Sequence, residues 1–140
     1  MHFDFVDRTI ELTDERIVTL KSVTSAEEYL RDHFPSFPVL PGVFMLESMV
    51  QAGRALLTNR DPENARHVLG EVRALKYGTF VKPGDTMRIT VTFQKSVGEA
   101  SYQLRGGAEI AVSGGETNNP APSCVSGRFT MRPLSAAVPR

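Results

Sequence analysis

One cysteine, Cys124, among 140 residues leaves no intrachain disulfide and no cysteine-built metal cluster. An excess of either charge is also missing. Sixteen Lys and Arg balance sixteen Asp and Glu, so no global field draws the chain to nucleic acid or to an anionic membrane. No apolar run approaches the roughly 20 residues of a bilayer-spanning helix. The opening Met1-His2-Phe3-Asp4-Phe5 lacks the basic-then-apolar order of a signal peptide. Internal repeats and a second composition zone are absent too. The expectation is one domain over 1–132, followed by a small, polar, disordered tail at 133–140, in the cytoplasm.

What is present is concentrated in one segment, His33-Phe34-Pro35-Ser36-Phe37-Pro38-Val39-Leu40-Pro41-Gly42-Val43, which runs into Phe44-Met45-Leu46-Glu47. Pro35, Pro38 and Pro41 each fix their own φ and push the preceding residue into an extended conformation. At Pro41 the prolines stop and an apolar run begins, the pattern of a helix with proline in its first turn. Val43, Phe44, Met45, Leu46, Met49, Val50, Ala52, Ala55, Leu56 and Leu57 cover most of the circumference of a helix over 41–58. A helix so apolar is normally buried.

The rest reads mainly as strands. Residues 3–23 hold short β-rich runs broken at Thr13-Asp14-Glu15. Ser25-Ala26-Glu27-Glu28 is a capping-box pattern for a short helix near 25–31. Segments 67–77, 86–97, 99–112 and 123–132 are extended, separated by Lys82-Pro83-Gly84-Asp85, by Val97-Gly98-Glu99 and by a long mobile loop from Gly114 to Pro122. The architecture is α+β: one long buried helix against a strongly curved antiparallel sheet. Such a sheet keeps open edges, and pairing two of them edge to edge predicts a dimer.

Glu47 stands in the middle of the apolar helix. A buried, unpaired carboxylate loses several kcal/mol of hydration, which favours a protonated group able to donate. Gln51 and Arg54 continue the stripe one and two turns on; alternatively, the stripe faces solvent. An isolated histidine is more often structural than catalytic, and His2 and His67 read as ordinary. His33 has more context. It precedes the prolines and a helix start whose N–H groups at Gly42 and Val43 are open to a developing oxyanion. Gly42 also leaves room for a carbonyl to approach. Gly42 and Glu47 are separated by about 7.5 Å along one helix and about 140° around it. A small reacting group therefore reaches both only if two subunits each contribute one.

The string His33-Phe34-Pro35-x-x-Pro38-x-x-Pro41-Gly42-Val43-x-x-x-Glu47-x-x-x-Gln51-Ala52 resembles the signature of the hot-dog-fold β-hydroxyacyl-acyl-carrier-protein dehydratases of bacterial fatty acid synthesis. Val6-Asp7-Arg8, Ile17-Val18, Val23-Thr24, Val72-Arg73 and Pro83-Gly84-Asp85 extend the resemblance over roughly 5–132. It implies a hot-dog fold and elimination of water from a (3R)-hydroxyacyl thioester to give the trans-2-enoyl thioester. His33 would be the base at C2, Glu47 of a second subunit the acid at the C3 hydroxyl, and the Gly42 amide the carbonyl donor. Phe34, Val43, Leu46 and Phe80 would line the acyl tunnel, with Gln51 beside the site. No metal or organic cofactor is called for.

The implied partners are an acyl-carrier-protein or coenzyme A thioester and a second copy of the chain, as a homodimer or a trimer of dimers. Arg54, Arg73, Lys76 and Lys82 are candidate docking cations for an acidic carrier. Departures from the family pattern are Ala26 to Asp32 before the histidine and the long 114–122 loop; these bear on chain-length preference. The alternatives are a hot-dog acyl thioesterase and a non-catalytic acyl-binding hot-dog protein. The fourteen-residue spacing from His33 to Glu47 favours elimination over hydrolysis.

Overall fold

The computed structural model describes residues 4–24, 39–64, 66–111 and 121–134. The helix expected near 25–31, His33 and Phe34, most of the 114–122 loop and the end of the tail lie outside the described residues.

Six strands and one long helix follow the order β1 (Arg8–Leu12), β2 (Arg16–Ser22), α1 (Gly42–Arg60), β3 (His67–Tyr77), β4 (Thr86–Gly98), β5 (Ser101–Ile110) and β6 (Ser123–Pro133), with a 3-10 turn at Pro62–Asn64 after α1. All pairings are antiparallel. The sheet order is β1-β2-β4-β5-β6-β3, so β1 and β3 are its edges.

Period-two alternation sets the two faces of the sheet. On β4, Met87, Ile89 and Val91 are buried while Arg88 and Thr92 are exposed. On β6, Phe129 and Met131 point inward, and Arg128 and Arg132 outward. The inward face receives α1, whose Met49, Ala52, Leu56 and Leu57 join Ile89, Leu104 and Phe129 in one core.

Two glycines allow the close approach. A methyl group on Gly53 of α1 would stand 2.9 Å from Leu104 Cδ1 and 3.1 Å from Phe129 Cε2. One on Gly106 of β5 would stand 2.8 Å from Met49 Sδ. Helix and sheet therefore meet backbone to side chain, with no space for another carbon.

The helix runs two residues past its expected end because Arg60 is held on three sides. Its Nη1 donates to Asp14 O at 2.6 Å and pairs with Glu15 Oε1 at 3.1 Å, and its guanidinium lies 3.6 Å from the Phe93 ring centroid. The β4–β5 turn falls at Glu99-Ala100 rather than Val97-Gly98-Glu99. Gly98 stays in the ladder opposite Ser101, and Ala100 takes the left-handed turn position at φ 53°. The Lys82-Pro83-Gly84-Asp85 turn forms as expected. Gly84 has φ 97°, Asp85 N donates to Lys82 O at 3.0 Å, and Lys82 N donates to the Asp85 carboxylate at 2.8 Å.

The outer face carries a row of cations. Arg105 of β5 is in register with Arg128 of β6, and Arg128 with Arg73 of β3. All three are exposed. Arg73 pairs with Glu71 at 3.0 Å. Edge strand β3 is irregular, slipping register between Leu69 and Val72 and again between Arg73 and Lys76, where Ala74 has φ 54°. No described helix is long and apolar enough to cross a membrane.

Candidate active site

Pro41 precedes the helix with φ −60° and ψ 143°, an extended residue whose carbonyl starts the helix. Phe44 N and Met45 N both donate to Pro41 O, at 3.0 and 3.3 Å. Gly42 and Val43 N–H have no acceptor among the described residues. No side chain caps this end and its first turn holds no acid. A ligand oxygen arriving there would meet two open donors and the positive end of the helix dipole. The segment leading in is held by Leu40 N, which donates to Val81 O at 2.8 Å.

Glu47 lies one turn further along α1. Gln51 Nε2 donates to its Oε2 at 3.0 Å, and Gln51 Oε1 accepts from Phe5 N at 2.8 Å. Phe5 is itself fixed, 1% exposed and stacked on Phe44 with ring centroids 5.3 Å apart. The carboxylate is thus oriented by a relay that starts in the N-terminal segment, across 46 residues of sequence. The Glu47–Gln51 stripe expected from the sequence exists, but Glu47 is only half-buried within one chain.

Arg54 departs from its expected role. Its Nε donates to His67 O at 2.9 Å, tying α1 to the start of β3, and the residue is half-buried. It is a brace rather than an open docking cation. Arg73, Lys76 and Lys82 are exposed. His67 is 1% exposed, its ring 5.7 Å from that of Tyr102, far along the helix from Gly42.

An apolar cleft of about 330 Å³ opens at the helix start, lined by Val39, Leu40, Gly42, Met45, Tyr77 and Phe80 among others. Of the residues singled out from the sequence, the structure brings Gly42 and Phe80 together there. Val43 is 63% exposed and Leu46 packs at the rim of the core; neither lines this cleft. Their side chains leave the helix at other angles from Met45, which points into it. His33 and Phe34 lie outside the described residues. Tyr77 was missed. Its signal was an aromatic closing a strand, three residues before Phe80, in a segment read only as extended. A second concavity, about 300 Å³ on the outer sheet face, is lined by Lys76, Gln94, Arg105, Ser126 and Arg128, polar groups unsuited to an acyl chain.

This geometry has counterparts among known proteins. The sequence profile of the ApeI-like family, described as ApeI dehydratase, matches residues 9–116. A 3-hydroxyacyl-[acyl-carrier-protein] dehydratase FabZ from Oenococcus oeni is 41% identical over 92 residues, 64% of this chain and 66% of that protein. The FabZ of Clostridium perfringens is 33% identical over 116 residues, 80% of this chain and 84% of its own length. In three dimensions the chain is similar to the dehydratase heterocomplex ApeI:P from Xenorhabdus doucetiae. There the TM-score is 0.68 at 20% identity, over 95% of this chain and 84% of that one. It is also similar to a hypothetical thioesterase with coenzyme A from Streptococcus pneumoniae, with TM-score 0.66 at 12% identity, over 91% and 84% of the two chains. At such identities the structural likeness concerns the fold, which is the hot dog; the sequence matches decide between chemistries. This chain belongs to the ApeI-like dehydratases, within the hot-dog-fold β-hydroxyacyl-acyl-carrier-protein dehydratase family.

Proposed function

We propose that this protein removes water from a (3R)-hydroxyacyl thioester, giving the trans-2-enoyl thioester, at a site shared between two copies of the chain. As a member of a dehydratase family it is a lyase of fatty acid synthesis. The observation that carries the reading is the pairing of an open helix start at Gly42 and Val43 with a Glu47 oriented by Gln51 on the same helix.

The steps follow from those groups. The thioester oxygen accepts hydrogen bonds at the start of α1, which draws charge from C2 and acidifies its proton. His33 takes that proton. Glu47 from the partner subunit gives a proton to the C3 hydroxyl, which leaves as water while the C2=C3 double bond forms. Gln51 is a positioning residue, since it fixes which carboxylate oxygen faces the substrate. The half-exposure of Glu47 supports the shared site, because a neighbouring helix would complete its enclosure. The cleft beside Gly42, with Phe80, supports an acyl or pantetheine-bearing occupant. Acyl carrier protein is the carrier we favour, docked through Arg73, Lys76 and Lys82. The working form is a homodimer, as such or within a trimer of dimers, in the cytoplasm, with a single domain that extends past the expected 132, since β6 runs to Pro133 and Leu134 N donates to Arg66 O at 2.9 Å.

The test is to incubate the protein with a β-hydroxyacyl thioester on acyl carrier protein and on coenzyme A while following enoyl absorbance. Release of free thiol without enoyl product would replace elimination by hydrolysis. Binding without either product would leave an acyl-binding protein.

A further inference from the structure

We infer that the Tyr77 hydroxyl is a second hydrogen-bond donor to the substrate's thioester carbonyl, acting beside the Gly42 amide. This rests on the dehydratase reading of the site and adds to it a residue from outside the helix.

The phenol lies directly on the backbone at the start of α1. Measured from the point where a Cβ of residue 42 would stand, Tyr77 Cζ is 2.8 Å away, Cε1 2.9 Å and the hydroxyl oxygen 3.1 Å. Any side chain at position 42 would displace the ring. The room expected there for an incoming carbonyl is taken by the ring, so the glycine serves the tyrosine, and the carbonyl has to approach the amide from beside it. The amide nitrogen of a residue lies about 2.5 Å from its Cβ position, so the hydroxyl oxygen and the Gly42 nitrogen are at most about 5.6 Å apart. An oxygen placed between them can accept from both at ordinary hydrogen-bond lengths.

The strand holds the ring in place. Tyr77 is in register with Val125 of β6. Just beyond it, Gly78 N donates to Cys124 O and Thr79 N to Ser123 O, both at 2.9 Å. The side chain is 52% exposed and its hydroxyl has no partner among the described residues. It lines the same apolar cleft as Gly42 and Phe80. A ring kept only for its contact area would work as well without the oxygen. A hydroxyl on a fixed strand end, over an open amide and in an apolar cleft, has the arrangement of a preorganised oxyanion donor.

During elimination negative charge gathers on the thioester oxygen as the C2–H bond breaks, and it returns to carbon as hydroxide is protonated and leaves C3 as water. The phenol keeps its proton throughout. It shortens its hydrogen bond while the charge is present and relaxes afterwards.

The experiment compares wild type with Tyr77→Phe. Turnover is followed by enoyl absorbance, melting temperature by calorimetry, and the carbonyl stretch of a bound saturated acyl thioester by isotope-edited infrared difference spectroscopy. The expected result is a fall in kcat of roughly a hundredfold with KM and melting temperature little changed. The carbonyl band should also lie at higher frequency in the variant. Equal turnover, or an unshifted carbonyl band whatever the turnover, overturns the role of Tyr77 and leaves the dehydratase reading standing. Absence of any enoyl product from wild type overturns both.

Discussion

Gln51 is where two demands on one side chain meet. Its amide N–H holds Glu47 and its carbonyl holds the Phe5 amide, so the acid's orientation and the anchoring of the N-terminal segment are coupled. Gln51→Met keeps the length and apolar volume but leaves a part-buried N–H without its acceptor, which costs about 1–3 kcal/mol. Denaturant unfolding should show that loss, and kcat should fall about tenfold because Glu47 no longer has a fixed orientation. The sequence suggested the Glu47–Gln51 contact, since residues four apart on a helix are neighbours. It could not reveal Phe5, which reaches Gln51 only through the sheet's long-range pairing. Cys124 illustrates a different effect of burial. Enclosure pushes its thiol up to about 11 from an ordinary 9.0. An acid held neutral in the fold keeps its proton more tightly there than in the unfolded chain. Its contribution is thus complete below pH 9 and is lost as pH rises through 11. Tyr102, raised by burial and by its bond to Asp61, gives a slope of the same sign from its ordinary 10.0 upward. Denaturant melts between pH 8 and 11 should show falling stability, with a shallower fall in Cys124→Ala.

Among the elements, α1 and the strands were largely readable. Pro41 marked the helix start, the apolar run its body, and alternation in β4 and β6 the two sheet faces. The errors have local causes. Arg60 extends the helix through contacts with Asp14, Glu15 and Phe93, all distant in sequence. Gly98, the obvious turn glycine, stays in the ladder because the adjacent Glu99-Ala100 pair closes the hairpin. Gly53 reads as a helix weak point, worth up to about 1 kcal/mol if replaced by alanine. The fold reverses that sign. An added methyl would press on Leu104 and Phe129 at 2.9 and 3.1 Å, and overfilling a close-packed core costs typically 1–3 kcal/mol. Gly53→Ala should therefore lower the melting temperature, while Ala55→Gly, on the more open side of the helix, should lower it for the propensity reason alone.

For the molecule as a whole, the decisive question is which chain supplies which half of the site. If His33 acts with Glu47 from the partner subunit, His33→Ala and Glu47→Gln are each inactive as homodimers. Mixed dimers contain one site with both substitutions and one with neither. Co-refolding equal amounts should then recover about a quarter of wild-type activity per chain, because half the dimers are mixed and each has one working site. No recovery would place both groups in one chain. The sequence supported this arrangement through helix geometry alone. Nothing in it, however, announced how cations are distributed on the far side of the sheet.

Arg128 and Arg105 stand opposite each other on neighbouring strands, beside an Arg73 that is paired with Glu71, in a chain whose formal charge is zero. Neutrality on paper therefore conceals a locally repulsive back. Two copies placed back to back would oppose like with like, so growth of the assembly is steered toward the rim of the sheet and the helix side. Dilute buffer leaves that repulsion unscreened, whereas electrolyte at cellular strength relieves it; this protein should keep better in salt than in water.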